Sequence, residues 1–441
     1  MNALAVLLGA LDDARLTFRT RPALDAHQER LGRAHLRWVA AHSPAVAARF
    51  READLPLARW RELPPTTKAA MLATFGTLNT AGVTLEDALA VGRHAERTRD
   101  FTPALPTPRG PVTVGLSTGT SGTQGVFLVS PAEQARWAGT VLRALLPGGL
   151  LGLTRRHRVA FLLRADSALY RSVQRAALHF AFFDLLRPLP DLTQAVQAFA
   201  PTLIVGPPGV LRALHRQGVR LNVQRVISVA EVLDPDDEEA LRAWGPVVQV
   251  YQATEGLLAL PCPHGQLHLN EAHVHFDLEP LGDGLVRPVI TDLRRRTQPF
   301  IRHRLDDALR LHPDPCACGR AARRVQAIAG RQDDALLLPA PGGALVTVWP
   351  DFLRGALAGV PGLREYRAEQ TGPRDLTLLL DPAGPAVTPA AVRAVQGALR
   401  RSGADPELLT LSARSLPPPA PGVKRRRVTR SWTPHGGPND P

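Results

Sequence analysis

The sequence predicts an α/β protein with a large N-terminal domain of mostly parallel sheets flanked by helices, a β-rich subdomain within it, and a small α+β C-terminal domain. Three observations carry this. Between Arg158 and Val250 short apolar runs alternate with amphipathic helical ones, the pattern of a parallel sheet covered on both faces. From Gly265 to Arg310 the pattern changes to short runs with a turn at Gly282-Asp283-Gly284. Past Gly330-Arg331-Gln332-Asp333-Asp334 a Pro/Gly-rich stretch (Pro339 to Gly343) opens a helix, strand and helix pattern, so a separate domain of about 100 residues is expected. The partition is 1–100, a helical part of the large domain; 101–330, its core; and 331–441, the C-terminal domain with a basic, proline-rich tail.

Taken in order, Ala3 to Leu11 reads as a first helix and not as a signal peptide, because no basic residue precedes it and Asp12-Asp13 follow it. Ala26 to Val39 and Ser43 to Phe50 are amphipathic, and Pro64-Pro65 break the pattern before Lys68. Strands are expected at Val112 to Leu116 and Val126 to Val129 around a small-residue loop. Ser130, Pro131 and Glu133 form an N-cap, a first-turn proline and a capping-box acid, so a helix runs from there to Leu146. A strand at Arg158 to Leu163 precedes a helix over Ser167 to Phe183. Strands at Thr202 to Val205, Arg225 to Val229 and Val247 to Val250 alternate with helices after Pro208 and over Pro235 to Trp244.

The 441 residues are 44% hydrophobic and 21% charged, with no apolar run of the roughly 20 residues a membrane span needs, which predicts a soluble chain with a sizeable core. Three cysteines in a chain of this length point to a reducing compartment, the cytoplasm. The net charge of +13 raises the question of an acidic partner, but no aromatic-interleaved basic platform accompanies it, so no specific nucleic-acid partner is expected. All but two of the 53 basic residues are arginine; the exceptions are Lys68 and Lys424. A lysine kept in such a chain marks a place where a compact charge on a flexible stem serves better than a planar fork.

Four segments carry candidate chemistry. Ser117-Thr118-Gly119-Thr120-Ser121-Gly122-Thr123-Gln124-Gly125 has the glycines and hydroxyls of an anion cradle, with a flexible surface turn as the plain alternative. A strand follows it and Gly-Lys-Ser/Thr is missing, which excludes a Walker A loop. Ala230-Glu231 and Tyr251-Gln252-Ala253-Thr254-Glu255 follow strands whose carboxyl ends are where ligands bind in such sheets. Glu255 fits a magnesium ligand or a helix-capping acid. Pro299 to Asp307 alternates arginines and ends in acids, as either a solvated strand face or a ribose-binding acid.

Together these segments resemble the adenylate-forming superfamily, and within it the phenylacetate-CoA ligase and coenzyme F-adenylating branch, over roughly residues 60 to 430. The loop is similar to the family's Ser-Ser-Gly-Thr-Thr-Gly-Lys-Pro, with Gln124-Gly125 in place of Lys-Pro. Tyr251 to Glu255 resembles Tyr-Gly-x-Thr-Glu, Pro299 to Asp307 resembles Pro-Leu-Ile-Arg-Tyr-Arg-Thr-Gly-Asp, and Gly330 to Asp334 resembles the Gly-Arg-x-Asp-Asp hinge. The resemblance implies that Ser117, Thr118, Gly119, Thr120, Ser121 and Gly122 cradle pyrophosphate and that Ala230, Glu231 and Tyr251 lie by the adenine. It implies that Thr254 meets the α-phosphate, Glu255 holds Mg2+, Asp307 holds the ribose hydroxyls and Arg331 helps hold the nucleotide. Asp333 becomes the pivot of a mobile C-terminal domain, and Lys424 the lysine that reaches the carboxylate and α-phosphate.

Cys262 and His268, with Cys316-Ala317-Cys318 lying 48 residues beyond His268, form a Cys3His set suited to tetrahedral Zn2+; His264 is a rival for the histidine, and buried free thiols are the other reading. Some members of the resembled branch carry such a site. The implied activity is ATP-dependent adenylation of a small-molecule carboxylic acid with pyrophosphate release, then transfer to coenzyme A; the oligomeric state stays open, with a homodimer suggested because members of the resembled branch are often dimers. A nucleotidyl transferase that leaves AMP on its substrate and a non-catalytic adenylate-binding scaffold, suggested by Gln124, are the alternatives.

Overall fold

The computed structural model describes residues 3–117, 125–163, 178–331, 334–418 and 425–432. They form two compact units, residues 1–305 with 311–326, and residues 306–310 with 327–441.

The first unit opens with helices α1 (Ala3–Ala14), α2 (Arg21–His42), α3 (Pro44–Glu52), α4 (Lys68–Ala73), α5 (Phe75–Leu78) and α6 (Leu85–Thr98). Ser43 separates α2 from α3: its Oγ accepts from the Val46 N–H and donates to the Leu78 carbonyl at 2.7 Å. Leu36, Val39, Phe50, Trp60 and Met71 form one buried cluster with Leu293, Phe300 and Ile301, which fixes the helical region against the 293–304 segment. That register is sharpened by backbone bonds on Thr66, which donates to Arg302 O and accepts from Arg304 N–H, both at 2.8 Å.

Strands β1 (Thr113–Leu116) and β2 (Val126–Val129) form an antiparallel hairpin, followed by α7 (Pro131–Leu145). The capping box is present, with Ser130 N–H donating to Glu133 at 2.9 Å. Next comes a five-stranded parallel sheet of β3 (His157–Leu163), β4 (Leu178–Asp184), β5 (Leu203–Gly206), β6 (Arg225–Ser228) and β7 (Val247–Gln249), in the order β4-β3-β5-β6-β7. Both faces are buried, as the alternation dictates. Val159, Leu203, Val205 and Ile227 meet α7, while Ala160, Leu162, Ile204 and Val226 meet Leu192, Val196, Leu211 and Trp244 from the other side.

The helix expected through Phe183 is corrected: Leu178–Asp184 is a strand paired in parallel with all of β3. Its three phenylalanines favour a pleated, half-buried surface, and a backbone partner along the whole of β3 outweighs helical periodicity. The earlier part of that expected helix, residues 164–177, lies outside the described residues.

The Tyr251 to Glu255 segment is not wholly a loop. β8 (Tyr251–Ala253) pairs with β9 (Gly256–Pro261), which pairs with β10 (Leu267–Leu269). β11 (Val274–Gly282) and β12 (Leu285–Asp292) form a hairpin, with β13 (His303–Arg304) against β12. The chain passes between the units along β14 (Asp307–Leu311) and β15 (Val325–Arg331).

In the second unit β16 (Leu336–Pro339) and β17 (Leu345–Val348) make a hairpin whose turn is the Pro/Gly-rich stretch; Gly342 and Gly343 have φ of 92° and 88°, angles that favour glycine. β18 (Glu365–Gln370), β19 (Asp375–Asp381), β20 (Thr410–Ser415) and β21 (Val428–Arg430) form a sheet in the order β20-β19-β18-β21. Helices Pro350–Ala358 and Val387–Arg401 complete its core through Leu353, Leu357, Val395 and Leu399 against Leu376, Leu378 and Leu380. Among the described residues no helix is long and apolar enough to cross a membrane.

Candidate active site and candidate metal centre

The loop between β1 and β2 is closed at its base by two short bonds. Ser117 N–H donates to Gly125 O and Gly125 N–H donates to Ser117 Oγ, each at 2.7 Å. Thr118, Gly119, Thr120, Ser121 and Gly122, expected to complete the cradle, lie outside the described residues. Ala230, after β6, holds a left-handed φ of 69°, a conformation that costs an alanine energy and is concentrated at ligand sites. Glu231, beside it, turns its carboxylate to accept from Gly209 N–H at 3.1 Å, at the start of helix Pro208–Arg216. Both residues therefore stand at the carboxyl ends of the parallel strands, where the sequence placed them.

Tyr251 is buried, Thr254 is half-buried, and the Glu255 side chain is 14% exposed. Two residues that the sequence reading did not single out govern this turn. Arg295, buried, donates from Nη1 to the carbonyls of Thr254 at 3.1 Å and Glu255 at 3.0 Å, and from Nη2 to Leu128 O in β2 at 3.3 Å. One guanidinium thereby joins the hairpin that bears the loop to the turn that bears the carboxylate. Its own position is set by Phe300, whose ring centroid lies 4.8 Å away, and by Asp292, which accepts from the Arg294 and Arg295 N–H groups at 2.8 and 2.9 Å. His303 is the other: its Nε2 lies 3.7 Å from Glu255 Oε1, an ion-pair separation beyond hydrogen-bond range. Burial pushes the Glu255 carboxyl up, but His303 and the Arg295 charge more than offset this, so it is held below its ordinary value and stays ionised. The signal for Arg295 was weak in the sequence, since it is one of three consecutive arginines.

In the second unit Arg331 Nη2 lies 3.3 Å from Asp306 Oδ2, which brings Arg331 beside the Asp306-Asp307 pair at the start of β14. Asp333 and Lys424 lie outside the described residues. Their neighbours are firmly held: Arg426 pairs with Asp334, while Arg425 and Arg427 both reach Glu365, at 3.0 and 2.9 Å.

All three cysteines converge on one histidine. One ligand atom each from Cys262, His268, Cys316 and Cys318 lies within 4.8 Å of the others, with Cys262 Sγ 3.9 Å from Cys316 Sγ and Cys318 Sγ 3.5 Å from His268 Nε2. His268 Nδ1 is 2.8 Å from Ala322 O, which fixes its proton there and leaves the Nε2 lone pair facing the sulfurs. A Cys3His donor set of this closeness fits zinc. His264 is not part of this group of four.

No protein-family model and no curated protein matches the chain. Solved structures do. A crystal structure of 2-hydroxyisobutyryl-CoA ligase in the postadenylation state, in complex with 2-HIB-AMP, matches with a TM-score of 0.69 at 17% identity, covering 95% of this chain and 92% of that one. The same ligase in complex with 2-HIB-AMP and CoA, in its thioesterification state, matches at 0.53 and 19%, with coverage of 95% and 92%. An acyl acid amido synthetase matches at 0.53 and 11%, over 88% of this chain and 83% of that one. The fold is that of the adenylate-forming enzymes.

Proposed function

We propose that the chain is an AMP-forming carboxylate ligase that adenylates a carboxylic acid with ATP, releases pyrophosphate and passes the acyl group to coenzyme A. The observation that carries this reading is the Arg295 tie between the loop-bearing hairpin and the Glu255 turn, in a fold shared with enzymes crystallised on acyl adenylates. In the first step a carboxylate oxygen bonds to the α-phosphorus and the bond to the bridging oxygen breaks. Pyrophosphate leaves with the electron pair. Negative charge gathers on the phosphoryl centre and the leaving group, and fixed donors in a partly desolvated site offset it. Glu255 is the residue suited to hold the accompanying magnesium, which supplies further positive charge. In this reading the 117–122 loop binds the phosphates, Tyr251, Ala230 and Glu231 border the adenine, and Asp307 and Arg331 take the ribose and phosphate. Lys424 bridges carboxylate and α-phosphate, and the second unit turns about Asp333 for the second step. The Cys3His set holds structural zinc, and with Cys316-Ala317-Cys318-Gly319-Arg320 it supports placement in the phenylacetate-CoA ligase branch.

The match to an acyl acid amido synthetase favours a second reading, in which an amine takes the acyl group after the same adenylation. Pyrophosphate release from ATP, screened over aryl, hydroxy and fatty acids, tests the first step. AMP and a thioester appear with coenzyme A if the main reading holds, and an amide with an amine panel if the second does. No pyrophosphate with any acid would sink both.

A further inference from the structure

A hollow of about 50 Å³ lies in the first unit, apart from the Glu255 turn. The linker between α1 and α2 contributes Thr17 and Phe18 to its lining, the cysteine-bearing loop contributes Arg320 and Ala322, and strands β9 and β10 contribute Leu260 and Leu269. Linker and loop are bonded to each other: Arg19 Nη1 donates to Cys318 O at 2.5 Å, and Ala321 N–H donates to Phe18 O at 2.9 Å. Gly319 makes the close approach possible. Its φ is 69°, and a Cβ there would stand 2.6 Å from Arg19 Nη1. The hollow is thus a built feature of the fold, and Arg320 follows directly on the glycine that shapes it.

Two carboxylates also line the hollow, and both are already matched. Asp13 pairs with Arg143 and lies 2.5 Å from His273 Nε2, while Glu271 pairs with Arg21 and Arg323, each at 2.7 Å. Arg320 is the exception. It is half-buried, and among the described residues it has no hydrogen bond and no ion pair, although buried polar groups ordinarily find partners. The lining therefore offers one unanswered guanidinium set among leucines, Phe18 and alanines. At roughly 10–15 Å³ for each water-sized occupant, the hollow holds about four atoms of a ligand. We propose that it is a second binding site, for a short-chain organic carboxylate: the Arg320 fork takes the two carboxylate oxygens, and the apolar lining takes the alkyl group. Filling it requires no nucleotide, which sets it apart from the proposed reaction.

The test is calorimetry of the full chain, without nucleotide, against acetate, propionate and inorganic phosphate. Propionate is expected to bind with a Kd on the order of a millimolar or below, more tightly than acetate, which has less to bury, and than phosphate, which has no alkyl group. Arg320→Gln removes the charge and should weaken propionate by about tenfold or more. Ala144→Leu adds bulk to the lining from α7 without touching a charge, and should weaken it similarly. Unchanged melting temperatures show that the variants are folded, and if Arg320→Gln is not, Ala144→Leu decides. Propionate affinity within about twofold of wild type in the folded variants overturns the proposal, because the acid then binds elsewhere, as in the acid pocket of the proposed reaction. So does phosphate binding as tightly as propionate, the mark of a bare anion contact, and so does wild type that binds no carboxylate.

Discussion

Arg295 donates one hydrogen bond to the carbonyl of Glu255, at 3.0 Å, and shares that nitrogen with the carbonyl of Thr254, so the turn that presents the carboxylate is held from behind by a buried guanidinium. The same side chain reaches Leu128 O in β2. It makes no contact of its own with a reacting atom in this arrangement; it is a positioning residue. Burying an arginine is costly, and here Nη1 and Nη2 offset part of that cost by holding together the two segments that the proposed reaction needs in register, while Nε has no hydrogen-bond partner.

Replacing Arg295 with methionine keeps an apolar stem beside Phe300 and removes the link. Three backbone carbonyls lose a charged donor, so a stability loss of about 2–4 kcal/mol is expected from denaturant unfolding. In pyrophosphate release kcat should fall by about tenfold to a hundredfold, the scale of a misplaced catalytic group. Wild-type kcat in a folded variant would show that the turn keeps its place without the link.

The second unit carries its own acid-sensitive anchor. Burial pushes the Glu365 carboxyl up, but the charges of Arg425 and Arg427 and the Arg427 hydrogen bond more than offset this, taking it from an ordinary 4.5 to about 2. The folded state therefore binds the proton less tightly than the unfolded one. Its stabilisation, roughly 3 kcal/mol, is full above pH 4.5 and disappears as pH falls toward 2. Glu365→Gln should be less stable than wild type by about that amount at pH 7 and nearly equal to it near pH 2. The gap between the two denaturation curves as a function of pH is the measurement. Because Arg425 follows Lys424 directly, adenylation should slow in the variant as well; a pH-independent gap would contradict the ion-pair account.

Purified chain should contain about one zinc ion, read by elemental analysis, and release it on treatment with a mercurial thiol reagent. Cys316→Ser should lower the zinc content and reduce the melting temperature by roughly 5–10 °C. AMP binding by the remaining folded protein should persist, as the proposal of a structural and not a reacting zinc requires. A metal-free wild-type protein of unchanged stability would return these cysteines to buried thiols.

Much of this was legible in the chain because it depends on local chemistry. Ser130, Pro131 and Glu133 specify a helix start through side chains that satisfy the first N–H groups, wherever the helix goes. The alternation of Leu203, Ile204 and Val205 specifies a strand buried on both faces. Cysteine count and spacing named the three sulfurs of the candidate metal centre, because so few soft ligands exist in the sequence, while the choice of His268 over His264 came from the fold. Leu178–Asp184 was misread as helix because its choice is made by β3, a partner found only after the chain folds.

The sequence by itself determined the α/β class, the order of the loops and the chemical character of each. Only the tertiary structure decided which charged residues stand behind them: Arg295 among three neighbouring arginines, and His303 beside Glu255. The physical reason is that a side chain's role at a site depends on burial and on partners distant in the chain. Composition records that a charge exists, and packing fixes what it faces.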